Sequence, residues 1–141
     1  MNKAENPDRL TDLELEIMQV IWAMPQESPT VREVADALNR RDSKALAYTT
    51  VQTMLGILCR KGALESKPGP GRAHLFRPLV SRTQARSSMT KDLVERLFGG
   101  ESKPLFAALL SDESIGRAEL ESLRDLIDEQ LDDEQPGGGG L

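Results

Sequence analysis

Apolar residues recur with helical spacing in three successive segments of the N-terminal half of the chain. The first segment begins with a capping box, Thr11 to Glu14, and ends at Pro25. Its apolar residues occupy two opposite faces: Leu13, Ile17, Val20, Ile21 and Met24 on one, and Leu15, Met18 and Trp22 on the other. A helix that is apolar on two sides is expected to be buried between two layers of structure.

The next two segments predict shorter helices. A second capping box, Thr30 to Glu33, begins a helix that ends near Asn39, with Val31, Val34, Ala35 and Leu38 facing inward. A third helix is predicted from about Tyr48 to Lys61, and Gly62 occupies the position of a C-terminal glycine cap. Its inward residues are Val51, Met54, Leu55 and Leu58, and its outward face carries Thr49, Thr53, Gly56 and Arg60.

Two short strands around the turn Pro68 to Gly71 predict a β-hairpin. Three short helices followed by a basic hairpin form the winged helix-turn-helix arrangement. Further helices are predicted from Ser81 to Phe98, from Ser102 onwards, and from about Arg117 to Leu131. The predicted fold class is mostly α with a small β-wing: an N-terminal winged helix-turn-helix domain and a C-terminal helical dimerisation region.

These elements divide the chain into three parts: a winged-helix DNA-binding domain, residues 1–80; a helical dimerisation region, residues 81–131; and a disordered tail, residues 132–141. Three helices on about fifty residues form a poor free-standing core. We therefore expect them to pair with a second copy as a homodimer. The expected dimerisation residues are the apolar side chains Leu93, Leu97, Phe98, Leu105, Leu109, Leu120, Leu123 and Ile127.

The charge is unevenly distributed. The net charge is −5, but residues 40–88 carry 10 Lys and Arg against 2 Asp and Glu, a balance of +8. Residues 1–39 balance at −5 and residues 89–141 at −8. A basic middle between acidic ends is typical of a segment that contacts nucleic acid, although a solvated charged face is the alternative.

The basic block contains the predicted third helix, which has the dimensions and polar side chains needed to enter a DNA major groove. The expected base-contacting residues are Thr49, Thr50, Gln52, Thr53 and Ile57, with Ile57 against a thymine methyl group. Gly56 costs about 1 kcal/mol of helix propensity, which a close approach by another molecule would explain. The expected phosphate contacts are Arg41, Lys44, Arg60, Lys61, Lys67, Arg72, His74 and Arg77. A winged-helix adaptor that binds proteins without recognising DNA sequence is the alternative function.

The remaining chemistry is sparse. One cysteine, Cys59, and one histidine, His74, exclude an internal disulfide and the common zinc motifs, and no nucleophile–base pair is evident. We therefore expect neither an enzyme nor a bound metal or cofactor, and Cys59 is expected to pack as a small hydrophobe rather than act as a redox sensor. No apolar run is long enough for a transmembrane helix or a signal peptide, so we expect a cytoplasmic protein without direct membrane insertion.

The succession of motifs resembles the penicillinase-repressor family, the BlaI/MecI/CopY group. The resemblance lies in L-x-x-L-E-x-x-I-M-x-x-I-W at Leu10–Trp22, T-V-R-E-V at Thr30–Val34, A-Y-T-T-V-Q-T-M-L-x-x-L-x-R-K-G at Ala47–Gly62, G-R-A-H-L-F-R-P at Gly71–Pro78, L-F-G-G at Leu97–Gly100 and E-L-E-S-L-R-D-L-I at Glu119–Ile127. It covers about residues 10–131. It implies a bacterial transcriptional repressor that binds palindromic operators as a homodimer.

The resemblance also implies a means of regulation. In antibiotic-responsive members a membrane sensor-protease signals and the repressor is cut, and the matching bond here is Ala108–Leu109. Relatives commonly carry Asn-Phe at that bond and often carry arginine where this chain has Ile57. Copper-responsive members have a C-terminal cysteine cluster, which this chain lacks. We therefore expect derepression by an inducing signal other than copper.

Overall fold

A computed structural model describes residues 7–41 and 46–134 of the chain. The elements within these ranges are, in order, α1 (Asp12–Ala23), α2 (Val31–Arg41), α3 (Tyr48–Lys61), β1 (Leu64–Pro68), β2 (His74–Pro78), α4 (Arg82–Phe98), α5 (Ser102–Leu110) and α6 (Arg117–Asp133). The predicted class, mostly α with a small two-stranded wing, is confirmed. The described residues up to Leu93 form one compact unit, and those from Val94 onwards form a second.

Helix α1 is buried on both of its apolar faces, as the sequence predicts. The Thr11 side chain accepts from the Glu14 amide, and the Glu14 carboxylate accepts from the Thr11 amide, so the predicted capping box is present. Ile17 on one face and Met18 on the other are both fully buried. The Trp22 indole donates to the Val80 carbonyl at 2.9 Å. The chain that follows the wing therefore covers the second face.

Helices α2 and α3 pack against each other and complete the core. Reciprocal bonds between Thr30 and Glu33 confirm the second capping box. Helix α2 continues to Arg41, two residues beyond the predicted end near Asn39. Helix α3 has the predicted bounds, and Gly62 ends it in the left-handed region with φ 87°. The inward residues of α3 at Val51, Leu55 and Leu58 are fully buried, and Met54 packs against them.

The wing is an antiparallel pair with Leu64 opposite Pro78 and Pro68 opposite His74. Leu64 and Phe76 are buried and join the wing to the core. The Phe76 amide donates to the Pro29 carbonyl at 2.9 Å, which ties β2 to the segment before α2. The wing lies beside α3 because α3 leads directly into β1 through Gly62 and Ala63. The contacts of Leu64 and Phe76 hold the wing against the core.

A buried ion pair connects the first turn of α1 with the last turn of α3. The Lys61 ammonium lies 2.6 Å from Glu14 Oε1 and donates to the Arg9 carbonyl at 2.7 Å. Arg9 in turn pairs with Asp92 of α4 at 3.0 Å. Burial would raise the pKa of Glu14, but hydrogen bonds from Lys61 and Thr11 outweigh it and leave that pKa below its ordinary value.

The second unit contains the end of α4, α5 and α6. Among its described residues none is buried, and several large apolar side chains are exposed. Helix α6 continues to Asp133, so residues 132 and 133, which were predicted to belong to a disordered tail, are helical. The remainder of that predicted tail, residues 135–141, lies outside the described residues.

Candidate nucleic-acid interface

The residues predicted to contact bases lie together on the outward side of α3. Thr49, Thr50, Gln52 and Thr53 are exposed, and Ile57 is half-buried. The opposite side of the helix is anchored by fully buried Val51, Leu55 and Leu58. The core therefore fixes the rotation of α3, and the hydroxyl and amide groups of its N-terminal half face outward. That they contact bases remains a prediction.

Gly56 lies within this outward face, in the middle of the helix. A Cβ built at this position meets only the Arg60 guanidinium, at 3.8 Å, which is an ordinary van der Waals contact. Neither its backbone conformation nor its neighbours require glycine, because its φ is not positive and an added Cβ would meet no atom closer than an ordinary van der Waals contact. The absence of a side chain leaves a low point on the exposed surface of α3. Packing within the chain does not explain that low point.

The residues predicted to contact phosphates differ in their exposure and in whether their charged groups already bind another side chain. Arg60 on α3 and Lys67, Arg72 and His74 on the wing are exposed. Arg41, also exposed, donates to the Gln19 amide oxygen at 3.1 Å. Arg77 pairs with Glu65 across the two wing strands, where both side chains are more than two-fifths exposed. Lys44 lies outside the described residues.

Lys61 does not belong to this set. Its side chain is only 9% exposed, and the ammonium is bound to the Glu14 carboxylate and the Arg9 carbonyl. A phosphate cannot reach a cation that is enclosed by the protein and already paired. The prediction that Lys61 contacts phosphate is therefore corrected: Lys61 joins α3 to α1, and the neighbouring Arg60 is the residue that faces outward.

Arg32 and Tyr48 are candidate interface residues that the sequence predictions missed. The Arg32 guanidinium carbon lies 5.3 Å from the centroid of the Tyr48 ring. Both side chains are exposed, at the start of α2 and the start of α3. The available indication was an outward-facing arginine within the second capping box. Nothing in the local sequence indicates that Arg32 contacts Tyr48, sixteen residues later.

The remaining titratable groups give no sign of a reactive centre. Burial raises the pKa of the Cys59 thiol, which keeps it protonated at neutral pH and favours a packing role. Within residues 7–41 and 46–134, no cluster of three or more His, Cys, Asp or Glu could hold a metal ion. In the same part of the chain, no helix is long and apolar enough to cross a membrane.

The predicted dimerisation residues are exposed or half-buried apolar side chains. Leu97, Leu109, Leu120 and Ile127 are exposed by 67%, 50%, 39% and 56%. Leu93, Phe98, Leu105 and Leu123 are half-buried. Four further apolar side chains of α5 and α6 are exposed: Phe106, Leu110, Leu126 and Leu131. Ala108 and Leu109, the bond suggested for regulatory cleavage, lie in the exposed part of α5.

Comparison with known proteins places this arrangement in a family. A model of the penicillinase repressor family matches residues 10–129. A penicillinase repressor of Bacillus licheniformis is 26% identical over 121 residues, which is 86% of this chain and 91% of that protein. An uncharacterised 16.5 kDa protein of Latilactobacillus sakei is 28% identical over 125 residues, which is 88% of this chain and 82% of that protein. The solution structure of the DNA-binding domain of the repressor BlaI is 32% identical, with a TM-score of 0.46, and covers 60% of this chain and 93% of that domain. Because the family model spans most of the chain, the protein belongs to the penicillinase repressor family.

Proposed function

We propose that this protein is a DNA-binding transcriptional repressor that acts as a homodimer on palindromic operators and leaves the DNA on an inducing signal. Residues 1–80 would bind DNA, and residues 81–131 would join the two copies. Membership in the penicillinase repressor family supports repression as the function. The chemistry of the first unit supports DNA as the partner.

The outward face of α3 carries the proposal. An exposed helix that only meets water is best served by Ala, Glu and Lys, which have high helix propensity. This face instead has Thr49, Gln52 and Thr53 followed by Gly56. The hydroxyls and amide match the donors and acceptors on base edges, and the glycine lets a flat molecular surface approach closely. A major groove about 12 Å wide accepts one helix of this kind.

The exposed cations would hold the helix in the groove. Arg60 lies at the C-terminal end of α3, Lys67, Arg72 and His74 lie on the wing, and Arg41 ends α2. Contacts from these groups to phosphates would position the protein without recognising sequence. We retain Lys44 as a proposed contact from the sequence alone, and Arg77 as one whose charge is shared with Glu65.

The second unit supports the homodimer. A unit whose described residues include no buried side chain lacks a core of its own, yet it exposes leucine, isoleucine and phenylalanine on three helices. Burial of such side chains yields about 25 cal/mol per Å² of apolar surface. A second copy would supply the missing cover, and two-fold pairing is the commonest arrangement of identical chains.

Derepression requires that the dimer be lost or that the DNA-binding units be released. If a membrane sensor-protease delivers the signal, the proposed cleavage site is the Ala108–Leu109 bond. That bond is exposed but helical, and the Ser111 hydroxyl donates to the Ala108 carbonyl at 2.9 Å. A protease needs an extended strand, so we expect α5 to unwind locally before cleavage.

Sequencing of captured genomic DNA tests the proposed function. The purified protein is incubated with sheared genomic DNA of the source organism, and the bound fragments are sequenced. We expect an enriched palindrome whose half-sites are separated by about 10 base pairs or a multiple of that spacing, as a two-fold dimer requires. Capture without any enriched motif would contradict the proposal and favour the alternative, a winged-helix adaptor that does not recognise DNA sequence.

A further inference from the structure

Arg32 and Tyr48 form a preorganised cationic group beside the outward face of α3. The Arg32 guanidinium carbon is 5.3 Å from the Tyr48 ring centroid, within the range of a cation–π contact. Arg32 is exposed and Tyr48 is 43% exposed, so the ring covers one side of the guanidinium and solvent reaches the rest. The capping box between Thr30 and Glu33 fixes the backbone on either side of Arg32.

No carboxylate neutralises this guanidinium within the described residues. Arg9, Arg77 and Arg117, by contrast, each pair with a carboxylate. Among residues 7–41 and 46–134, Arg32 belongs to none of these pairs and its interaction is the contact with the Tyr48 ring. A guanidinium that is held in place and keeps its donors free is well suited to bind a phosphate.

The position of the pair relates it to the base-contacting residues. Tyr48 precedes Gln52 by four residues, and side chains four apart on a helix are neighbours. Arg60 lies near the other end of the same helix. It follows Tyr48 by twelve residues, which corresponds to about 18 Å along the helix axis. That length exceeds the major-groove width of about 12 Å, so cations at the two ends can reach backbones on opposite sides of the groove.

We propose that Arg32 binds a backbone phosphate at the N-terminal end of the DNA-contacting helix, and that the Tyr48 ring positions its guanidinium for that contact. This inference rests on the proposed function. Together with Arg60, Arg32 would clamp the helix from both ends. The contact would set the depth and tilt of α3 in the groove and carry no sequence information itself.

The test compares variants by titration of the captured operator and a shuffled duplex across salt concentrations. We expect Arg32→Ala to weaken binding about tenfold on both duplexes and to reduce the salt slope by about 0.9, the value of one phosphate contact. Tyr48→Leu should weaken binding in wild type but add little in the Arg32→Ala background. Tyr48→Phe keeps the ring and should bind as wild type does. Arg32→Lys keeps the charge but not the planar stack and should fall between wild type and Arg32→Ala.

Arg82→Ala is the matched control. Arg82 also lies over an aromatic ring, that of Trp22 at 6.0 Å, but on α4 and α1, which carry no proposed DNA contact. It should leave the salt slope unchanged. The inference is overturned if Arg32→Ala leaves the slope unchanged, if Arg82→Ala lowers it equally, or if Tyr48→Phe loses as much affinity as Tyr48→Leu. A wild-type protein that binds both duplexes equally, with no effect of Arg60→Ala, would instead overturn the proposed function.

Discussion

At the scale of single residues, Gly56 is the clearest case of a residue that lowers stability and is explained by function. Alanine would fit at this position, since an added Cβ meets only the end of the Arg60 side chain at 3.8 Å. Alanine would also favour the helix by about 1 kcal/mol. A residue that lowers stability without serving the packing of its own chain is explained by an external partner.

We predict that Gly56→Ala raises the free energy of unfolding by up to about 1 kcal/mol and weakens operator binding. The added methyl group would separate α3 from the base edges. Urea denaturation measures the first effect and fluorescence anisotropy with a labelled operator the second. Ser87→Ala, at an exposed position of α4, is the control that should alter stability alone. Unchanged operator affinity in Gly56→Ala would contradict the close approach.

Arg60 and Lys61 show which residue assignments a sequence can support. Both are basic residues in the last turn of α3; helical periodicity places Arg60 on the outward face, but it does not reveal the carboxylate that Lys61 binds. Lys61 is enclosed because Glu14, 47 residues earlier, lies beside it in the fold. The partner of a buried charge depends on long-range packing. The outward position of Thr49, Gln52 and Thr53, by contrast, follows from helical periodicity alone.

At the scale of elements, the Glu14–Lys61 ion pair attaches α3 to α1. The two side chains are 6% and 9% exposed, so removal of one partner leaves a buried charge uncompensated. Glu14 has a folded-state pKa below its ordinary value of 4.5. Its contribution to stability is therefore fully present above about pH 4.5 and is lost as the pH falls through the folded-state pKa.

We predict that Lys61→Met destabilises the protein by about 3 to 5 kcal/mol at pH 7, as expected for a buried pair that loses one partner. The double variant Glu14→Gln with Lys61→Met should recover part of that loss. Urea denaturation between pH 7 and pH 3 measures both, and the wild type should lose more stability on acidification than Glu14→Gln does.

Arg117→Met removes one partner of the exposed pair with Glu121 and serves as the control. It should change the stability by less than about 0.5 kcal/mol. A similar effect of Lys61→Met and Arg117→Met would show that the buried pair does not fix α3.

Element bounds were predictable where the end of a helix is encoded locally. Thr11 and Thr30 begin helices through capping boxes, and Gly62 ends α3 in a left-handed conformation, as their residue types indicate. Helices α2 and α6 end two residues later than predicted, at Arg41 and Asp133, and neither of these residues is directly followed by a glycine or a proline. The contact of Arg32 with Tyr48 was not predictable, because it depends on how α2 packs against α3.

At the scale of the whole molecule, the uneven charge matches the proposed roles of the two parts of the chain, DNA binding and dimerisation. The segment with a balance of +8, residues 40–88, contains α3 and the wing. The segment with a balance of −8, residues 89–141, contains α5 and α6. Acidic helices are repelled by phosphate, which would keep the proposed dimerisation region off the DNA backbone.

We predict that Leu123→Asp with Ile127→Asp yields monomers with much weaker operator affinity. Carboxylates on the apolar face of α6 would oppose its burial against a second copy, and a monomer contacts only one half-site. Sedimentation at micromolar concentration measures the association state, and Ala118→Asp, on the opposite face of α6, is the control that should remain dimeric. A wild-type protein that sediments as a monomer would contradict the dimerisation assignment.

The most direct test of the central claim is the affinity of the wild-type protein for the captured palindrome relative to a shuffled duplex of the same composition. Measured by anisotropy at physiological salt, the palindrome should bind at least about a thousandfold more tightly, with two protomers per duplex. Equal affinities for the two duplexes would contradict sequence-specific recognition by α3 and with it the account of this protein as a repressor.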